Sequence, residues 1–143
     1  MSRLIGYCAA FLLLFLLAAC HQEHKTGPVE VKWDRDTCVR CSMALSDRRF
    51  AVQVRGGQKH MTYKFDDFGC AVFWLKDQPW AGEPATEIWI RDMRSDMWLD
   101  ARRAYYVANN TTPMAYGYGA VAAPEAGVVN FDEARKRILA LGK

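Results

Sequence analysis

Histidine is scarce in this chain: three of its 143 residues are His, and only His60 lies beyond position 24. No His-Glu-x-x-His, Gly-x-Ser-x-Gly or phosphate-binding glycine loop occurs, so the familiar signatures of zinc proteases, hydrolases and nucleotide-binding enzymes are missing. Charge of one sign does not dominate either. Lys and Arg number 19 against 16 Asp and Glu, which excludes the concentrated basic surface of a nucleic-acid binder. The single basic run, Arg135 to Arg137, fits the solvated face of a helix. The chain also lacks a membrane-spanning run: Ala9 to Ala19 is uninterrupted apolar sequence, but a crossing helix needs about 20 residues.

What that short run does fit is a secretory signal. Arg3 supplies a positive start, and Leu17-Ala18-Ala19-Cys20 places small residues before a Cys that polar sequence follows. The pattern resembles bacterial lipoprotein signals, which implies diacylglycerol on the Cys20 sulfur, cleavage before it and acylation of the new amino terminus. Two or more acyl chains anchor stably where one does not. Residues 1–19 are thus expected to be a signal peptide, 20–32 a lipid-anchored tether and 33–143 the folded domain, facing the periplasm. His21, where an Asp would retain the protein at the inner membrane, favours the outer one.

The remaining sequence has room for one ordinary domain. Phe50 to Val54 alternates, Gly56-Gly57 turns the chain, and Met61, Tyr63 and Phe65 alternate again, which predicts a β-hairpin. Asp66 or Asp67 can cap the helix that follows, whose Phe68, Ala71, Val72 and Leu75 share one face. Strands are expected over residues 87–91 and 97–99 around an Arg94-Ser95-Asp96 turn, and again over 105–108 and 116–121. Asn130 reads as the N-cap of a last helix, with Glu133 as capping-box partner. Strands followed by a helix, twice, predict an α+β body of two small related ββα-type units, about 33–83 and 84–143.

Chemistry concentrates in Asp36-Thr37-Cys38-Val39-Arg40-Cys41-Ser42-Met43. Cys38-x-x-Cys41 alone has three readings. It is half a zinc site, although zinc wants four ligands and neither a second Cys pair nor a nearby His is evident. It is a redox pair, although the βαβ context of thioredoxin-like proteins is missing. Or it is a structural disulfide in an oxidising compartment. Cys70, among Phe68, Ala71 and Val72, reads as a small buried apolar residue, and the acidic pair Asp66-Asp67 as a helix cap. Met43 adds a fourth reading. In extended backbone residues i and i+2 share a face, so the Cys41 and Met43 sulfurs can converge on one ion. Thiolate and thioether are soft donors that favour copper(I). The alternative, that Met43 only fills the core, stays open.

The stretch resembles the NosL family, lipoproteins associated with assembly of the copper centres of nitrous-oxide reductase. Four passages carry the resemblance: residues 38–43, Phe65-Asp66-Asp67-Phe68-Gly69-Cys70, Ile90-Arg91-Asp92 through Trp98-Leu99-Asp100-Ala101, and Thr112-Pro113-Met114-Ala115-Tyr116-Gly117. Where the family often has Gly between the Cys and Met, this chain has Ser42, also small. The resemblance implies a copper(I) site of Cys41, Met43 and Met114. Tyr116 and Tyr118, on alternate positions, can screen the ion from water or serve only as core. The resemblance also implies a non-enzymatic carrier whose partner is nitrous-oxide reductase or its assembly machinery. Cys38 is then a redox partner of Cys41, because a disulfide between them would oppose copper binding. The rival functions are a thiol-disulfide oxidoreductase using Cys38 and Cys41, and a general copper-scavenging lipoprotein. His60, on the opposite side of its strand from Met61, Tyr63 and Phe65, is not expected to be a ligand.

Overall fold

The structure, a computed structural model, describes residues 25–143. The expected signal peptide, the lipidation site Cys20 and the start of the tether lie outside the described residues. The predicted hairpin forms, with β1 over Val52–Gly56 and β2 over Met61–Phe65, paired antiparallel from Val52↔Phe65 to Gly56↔Met61. Gly57, at φ 77°, begins the turn, a backbone that glycine adopts without strain. β1 starts two residues later than the alternation predicts, because the Phe50 N–H closes a turn on the Asp47 carbonyl.

Strand β3 (Glu87–Arg91) occupies the other edge of β1, and β4 (Trp98–Asp100) follows it outward, so the sheet order is β2-β1-β3-β4. Strands β5 (Tyr105–Val107) and β6 (Gly119–Val121) form a separate antiparallel pair. An Asp92–Ala120 bridge ties that pair to the end of β3. Helix α1 (Phe68–Leu75) follows β1–β2, and helix α2 (Phe131–Ala140) follows β5–β6. The α+β class holds and a ββα succession occurs twice. The β3–β4 hairpin, which lies in the second half of the sequence, nevertheless completes the first sheet. A buried central strand needs hydrogen-bond partners on both edges, and β3 supplies them to β1.

Helix α1 is buried nearly all round rather than along one stripe: only Trp74 among its residues is not fully buried. Its surroundings explain this. Trp74 packs on Tyr63 and Phe65 of β2, Phe68 stacks on Tyr106 and meets Phe131 of α2, and Phe73 meets Tyr116. A helix enclosed on all sides loses the one-faced pattern of a surface helix. In α2 the Asn130 side chain accepts from the Glu133 N–H as expected, while the Glu133 carboxylate pairs with Arg137 one turn on.

Residues 25–31, expected as part of a tether, lie along the outer face of the first sheet. Gln53 and Arg55 point to that face and are buried, and buried polar groups require partners. The tether's backbone provides them. Gln53 exchanges two hydrogen bonds with the Val29 backbone (2.7 and 2.8 Å), and Arg55 donates to the Lys25 and Gly27 carbonyls. Among the described residues no helix is long and apolar enough to cross a membrane.

Candidate metal centre

Three segments distant in sequence meet where β2 runs into α1. Asp66 and Asp67 stand at this junction, both buried, and their side chains diverge. Asp67 is the N-cap of α1: one oxygen accepts the Gly69 N–H at 3.0 Å, and the other accepts the Met114 N–H at 2.9 Å. The cap therefore also fixes the loop that carries Met114, 47 residues away in sequence. Asp66 faces the other way and accepts from the Cys41 thiol, 3.3 and 3.4 Å from its two oxygens.

The loop holding Cys41 is closed at its base. Thr37 bridges Ala44, the Cys38 N–H donates to the Met43 carbonyl at 2.8 Å, and the Ser42 N–H donates to the Cys38 carbonyl at 2.9 Å. The Val39 N–H then docks the loop on the Lys64 carbonyl of β2. This geometry corrects one expectation. The backbone between Cys41 and Met43 is not extended: Cys41 ends a turn and Ser42 sits at φ 64°. Size is thus only half of why glycine suits this position, since left-handed backbone is the stronger reason.

The turn sends the Cys41 sulfur inward. Cys38, Cys41, Asp66 and Cys70 form a cluster whose four donor atoms all lie within 4.8 Å of one another. Cys38 and Cys70 are 2% and 0% exposed, Cys41 is half-buried, and all three thiols are free. The structure thereby adds Cys70 and Asp66 to the candidate residues. Cys70 is not merely an apolar filler, because it points at two other sulfurs from the first turn of α1. The ligand count that spoke against zinc fails too: three sulfurs and a carboxylate make four donors. Donor softness, rather than number, must now separate the metals.

The thiols are electrostatically unequal. A hydrogen bond from Cys70 to the Cys38 sulfur lowers the Cys38 pKa to about 6 against burial, which opposes it. Burial, reinforced by Cys38 and Asp66, pushes Cys41 up to about 11. Cys70 is pushed up as well, first by its hydrogen bond to Cys38 and then by burial. Burial and the hydrogen bonds within the cluster thus favour ionisation at Cys38 over Cys41 and Cys70. Arg40 lies alongside, its guanidinium 5.0 Å from the Phe73 ring centroid and donating to the Tyr116 hydroxyl at 2.8 Å.

Of the thioethers, Met43 is 51% exposed. It lines an open hollow of about 370 Å³ with Asp66, Thr112 and Pro113. Met114 follows directly and is partly buried against the core. Met43 and the loop bearing Met114 therefore flank Asp66, the residue that holds Cys41. Tyr116 and Tyr118 are buried, and Tyr116 packs on Gly69 beside Cys70. His60 is remote: it is hydrogen-bonded to Glu87 just before β2 begins, so the whole length of that strand separates it from Asp66.

A four-stranded sheet, a strand pair and two helices, with sulfur-bearing loops gathered at one end, make this a NosL-like α+β fold. The chain is similar to the crystal structure of the copper chaperone NosL from Shewanella denitrificans, with a TM-score of 0.63 and 16% sequence identity. The match covers 76% of this chain and 96% of that one. No protein-family profile matches the sequence, and no curated protein does. At that identity the likeness establishes the fold.

Proposed function

We propose that this protein is a copper(I) carrier, lipid-anchored through Cys20, that holds the ion on Cys41, Met43 and Met114 and delivers it for assembly of the copper centres of nitrous-oxide reductase. The observation that carries the copper reading is the position of Cys41. Its half-buried thiol sits on Asp66, and Met43 and Pro113 line the hollow over that same carboxylate. A thiolate and two thioethers form a soft donor set that suits copper(I) and serves zinc poorly. Cargo of this kind is bound at the surface and released, so an exposed Met43 is useful where a buried ligand would be slow. The client follows from the family resemblance. The NosL-like fold supports it.

The thiol oxidoreductase is disfavoured by the order of the thiols. An exchange enzyme needs its accessible sulfur ionised, whereas here the readily ionised Cys38 is buried and the accessible Cys41 is held up to about 11. The tether supports a membrane-distal site. Lys25 and Gly27 are bound near Arg55 and Glu87, at the end of the sheet opposite Asp66, so an anchor on Cys20 leaves Cys41 facing away from the membrane.

Anaerobic titration of the reduced full chain with copper(I) against a chromophoric chelator tests the reading. One ion should bind, Cys41→Ala should weaken binding most, and Met43→Ala and Met114→Ala should each weaken it. Zinc preferred over copper(I), or Met variants that bind as tightly as the parent, would reject it. Cys20→Ala should leave the membrane fraction. A deletion strain that reduces nitrous oxide normally under copper limitation would replace the dedicated client with general scavenging.

A further inference from the structure

Two of the three clustered thiols take no part in the site proposed above, and apolar packing does not explain them. Buried positions that need only volume are filled by Ala or Val at no chemical risk, yet Cys38 and Cys70 bring their sulfurs to Cys41 from separate segments. We infer that Cys38, Cys41 and Cys70 form a second, inner copper(I) seat, with Cys41 common to both seats and serving as the pivot between them. The inference rests on the copper reading and extends it inward.

The dimensions fit. Metal–thiolate bonds of about 2.3 Å place three sulfurs around one ion roughly 4 Å apart. The donor atoms already lie within 4.8 Å of one another, so side-chain adjustments below about 1 Å close the triangle. The surroundings fit as well. One copper(I) on three thiolates carries two net negative charges, and such charge is costly to bury without a counter-ion. Arg40 supplies one: its guanidinium is held beside the cluster by the Phe73 ring and the Tyr116 hydroxyl, and Tyr116 packs on Gly69, the neighbour of Cys70. Asp66, within 4.8 Å of all three sulfurs, takes the Cys41 hydrogen bond in the metal-free state. It is a hard oxygen donor, poorly matched to copper(I), so it positions Cys41 rather than serving as a ligand.

Transfer between the seats is ligand exchange without redox change. Copper(I) held by Cys41, Met43 and Met114 gains bonds to Cys38 and Cys70 as its bonds to the two thioethers break. Every thiol that becomes a ligand as a thiolate releases one proton, which passes to solvent through the open hollow that Asp66 lines, and the copper remains copper(I) throughout. The inner seat, where Cys38 and Cys70 are buried, stores the ion; the outer seat, at the hollow beside Met43, presents it.

The experiment separates this inference from the copper reading itself. The reduced full chain is compared with a Met43→Ala/Met114→Ala variant, and with the same variant carrying Cys70→Ala, by copper(I) titration and X-ray absorption. Circular dichroism and thermal melting of each protein establish that it is folded. The Met variant should bind one copper(I) more weakly than the parent, yet still through three sulfurs and without oxygen or nitrogen. Adding Cys70→Ala should weaken that binding by roughly a hundredfold or more, exceeding the usual loss from an outer-shell change. Cys38→Ala in place of Cys70→Ala should act alike, and serves if Cys70→Ala fails to fold. If the folded Met variant binds no copper(I) while the parent does, the inner seat is rejected and the carrier survives. If it prefers zinc, or Cys70→Ala leaves affinity and sulfur count unchanged, the inner copper seat is likewise rejected. If the parent itself binds no copper(I), both proposals fall.

Discussion

Replacing Gly69 with alanine should damage the metal centre without touching any of its donor atoms. A Cβ at Gly69 would lie 2.0, 2.2 and 2.4 Å from Cγ, Cδ2 and Cδ1 of Tyr116, where carbon atoms prefer about 3.5–4.0 Å. The ring must retreat by roughly 1.5 Å, yet Tyr116 is buried and receives the Arg40 hydrogen bond. Overpacking of this kind costs about 1–3 kcal/mol, and losing a hydrogen bond from a charged donor costs about 1.5 kcal/mol. Helix propensity works in the opposite direction, because Ala is favoured over Gly inside a helix by about 1 kcal/mol. The net expectation is a loss of about 2–3 kcal/mol, or roughly 10 °C in Tm for a domain of this size. Because Tyr116 shares its loop with Met114, copper affinity should fall as well. Thermal and urea unfolding of Gly69→Ala, alone and with Tyr116→Ala, measures the coupling. In the Tyr116→Ala background the Gly69→Ala penalty should shrink below about 1 kcal/mol. A Gly69→Ala protein as stable as the parent, or an equal penalty in both backgrounds, would refute the contact.

At Ser42 the left-handed backbone costs a non-glycine residue about 1–2 kcal/mol, and glycine's greater freedom when unfolded offsets about 0.5–1 kcal/mol of the relief. Ser42→Gly should therefore raise stability by about 0.5 kcal/mol, whereas β-branched Ser42→Val should lower it; urea midpoints that coincide for the two variants would refute the strain. The cluster also sets a pH profile for the reduced, metal-free protein. Cys38, lowered to about 6 from 9.0, binds fewer protons folded than unfolded between those values, so stability should rise from pH 6 to 9 and be lost as pH falls through 6. Cys41, pushed up to about 11, and Cys70, also raised, stay protonated when folded, so stability should decline as pH rises above 9. Thermal melts across this range, with Cys38→Ala flattening the lower limb, check both signs; a level profile from 6 to 9 would refute the Cys38 assignment.

Local order was legible in the sequence because its causes are local. Alternation around Gly56-Gly57 marked β1 and β2, the Asp66-Asp67 pair and Asn130 marked the starts of α1 and α2, and each depends on residues a few positions apart. The sulfur motif was legible for the same reason, since Cys38, Cys41 and Met43 are neighbours. Only the tertiary structure decided what they face. Cys70 lies in a helix buried on all sides, where apolar burial produces the same pattern whether a cysteine packs or points at a metal. Asp66 and Asp67 are adjacent in sequence, yet one holds the Cys41 thiol and the other the backbone of Met114, a division of labour that spacing does not encode. The tether, whose polar composition reads as a linker, is pinned because Gln53 and Arg55 beneath it need partners. Periodicity and caps record interactions within a few residues. The centre joins residues 38–43, 66–70 and 112–116, which meet only after the sheet has formed and α1 has closed over it.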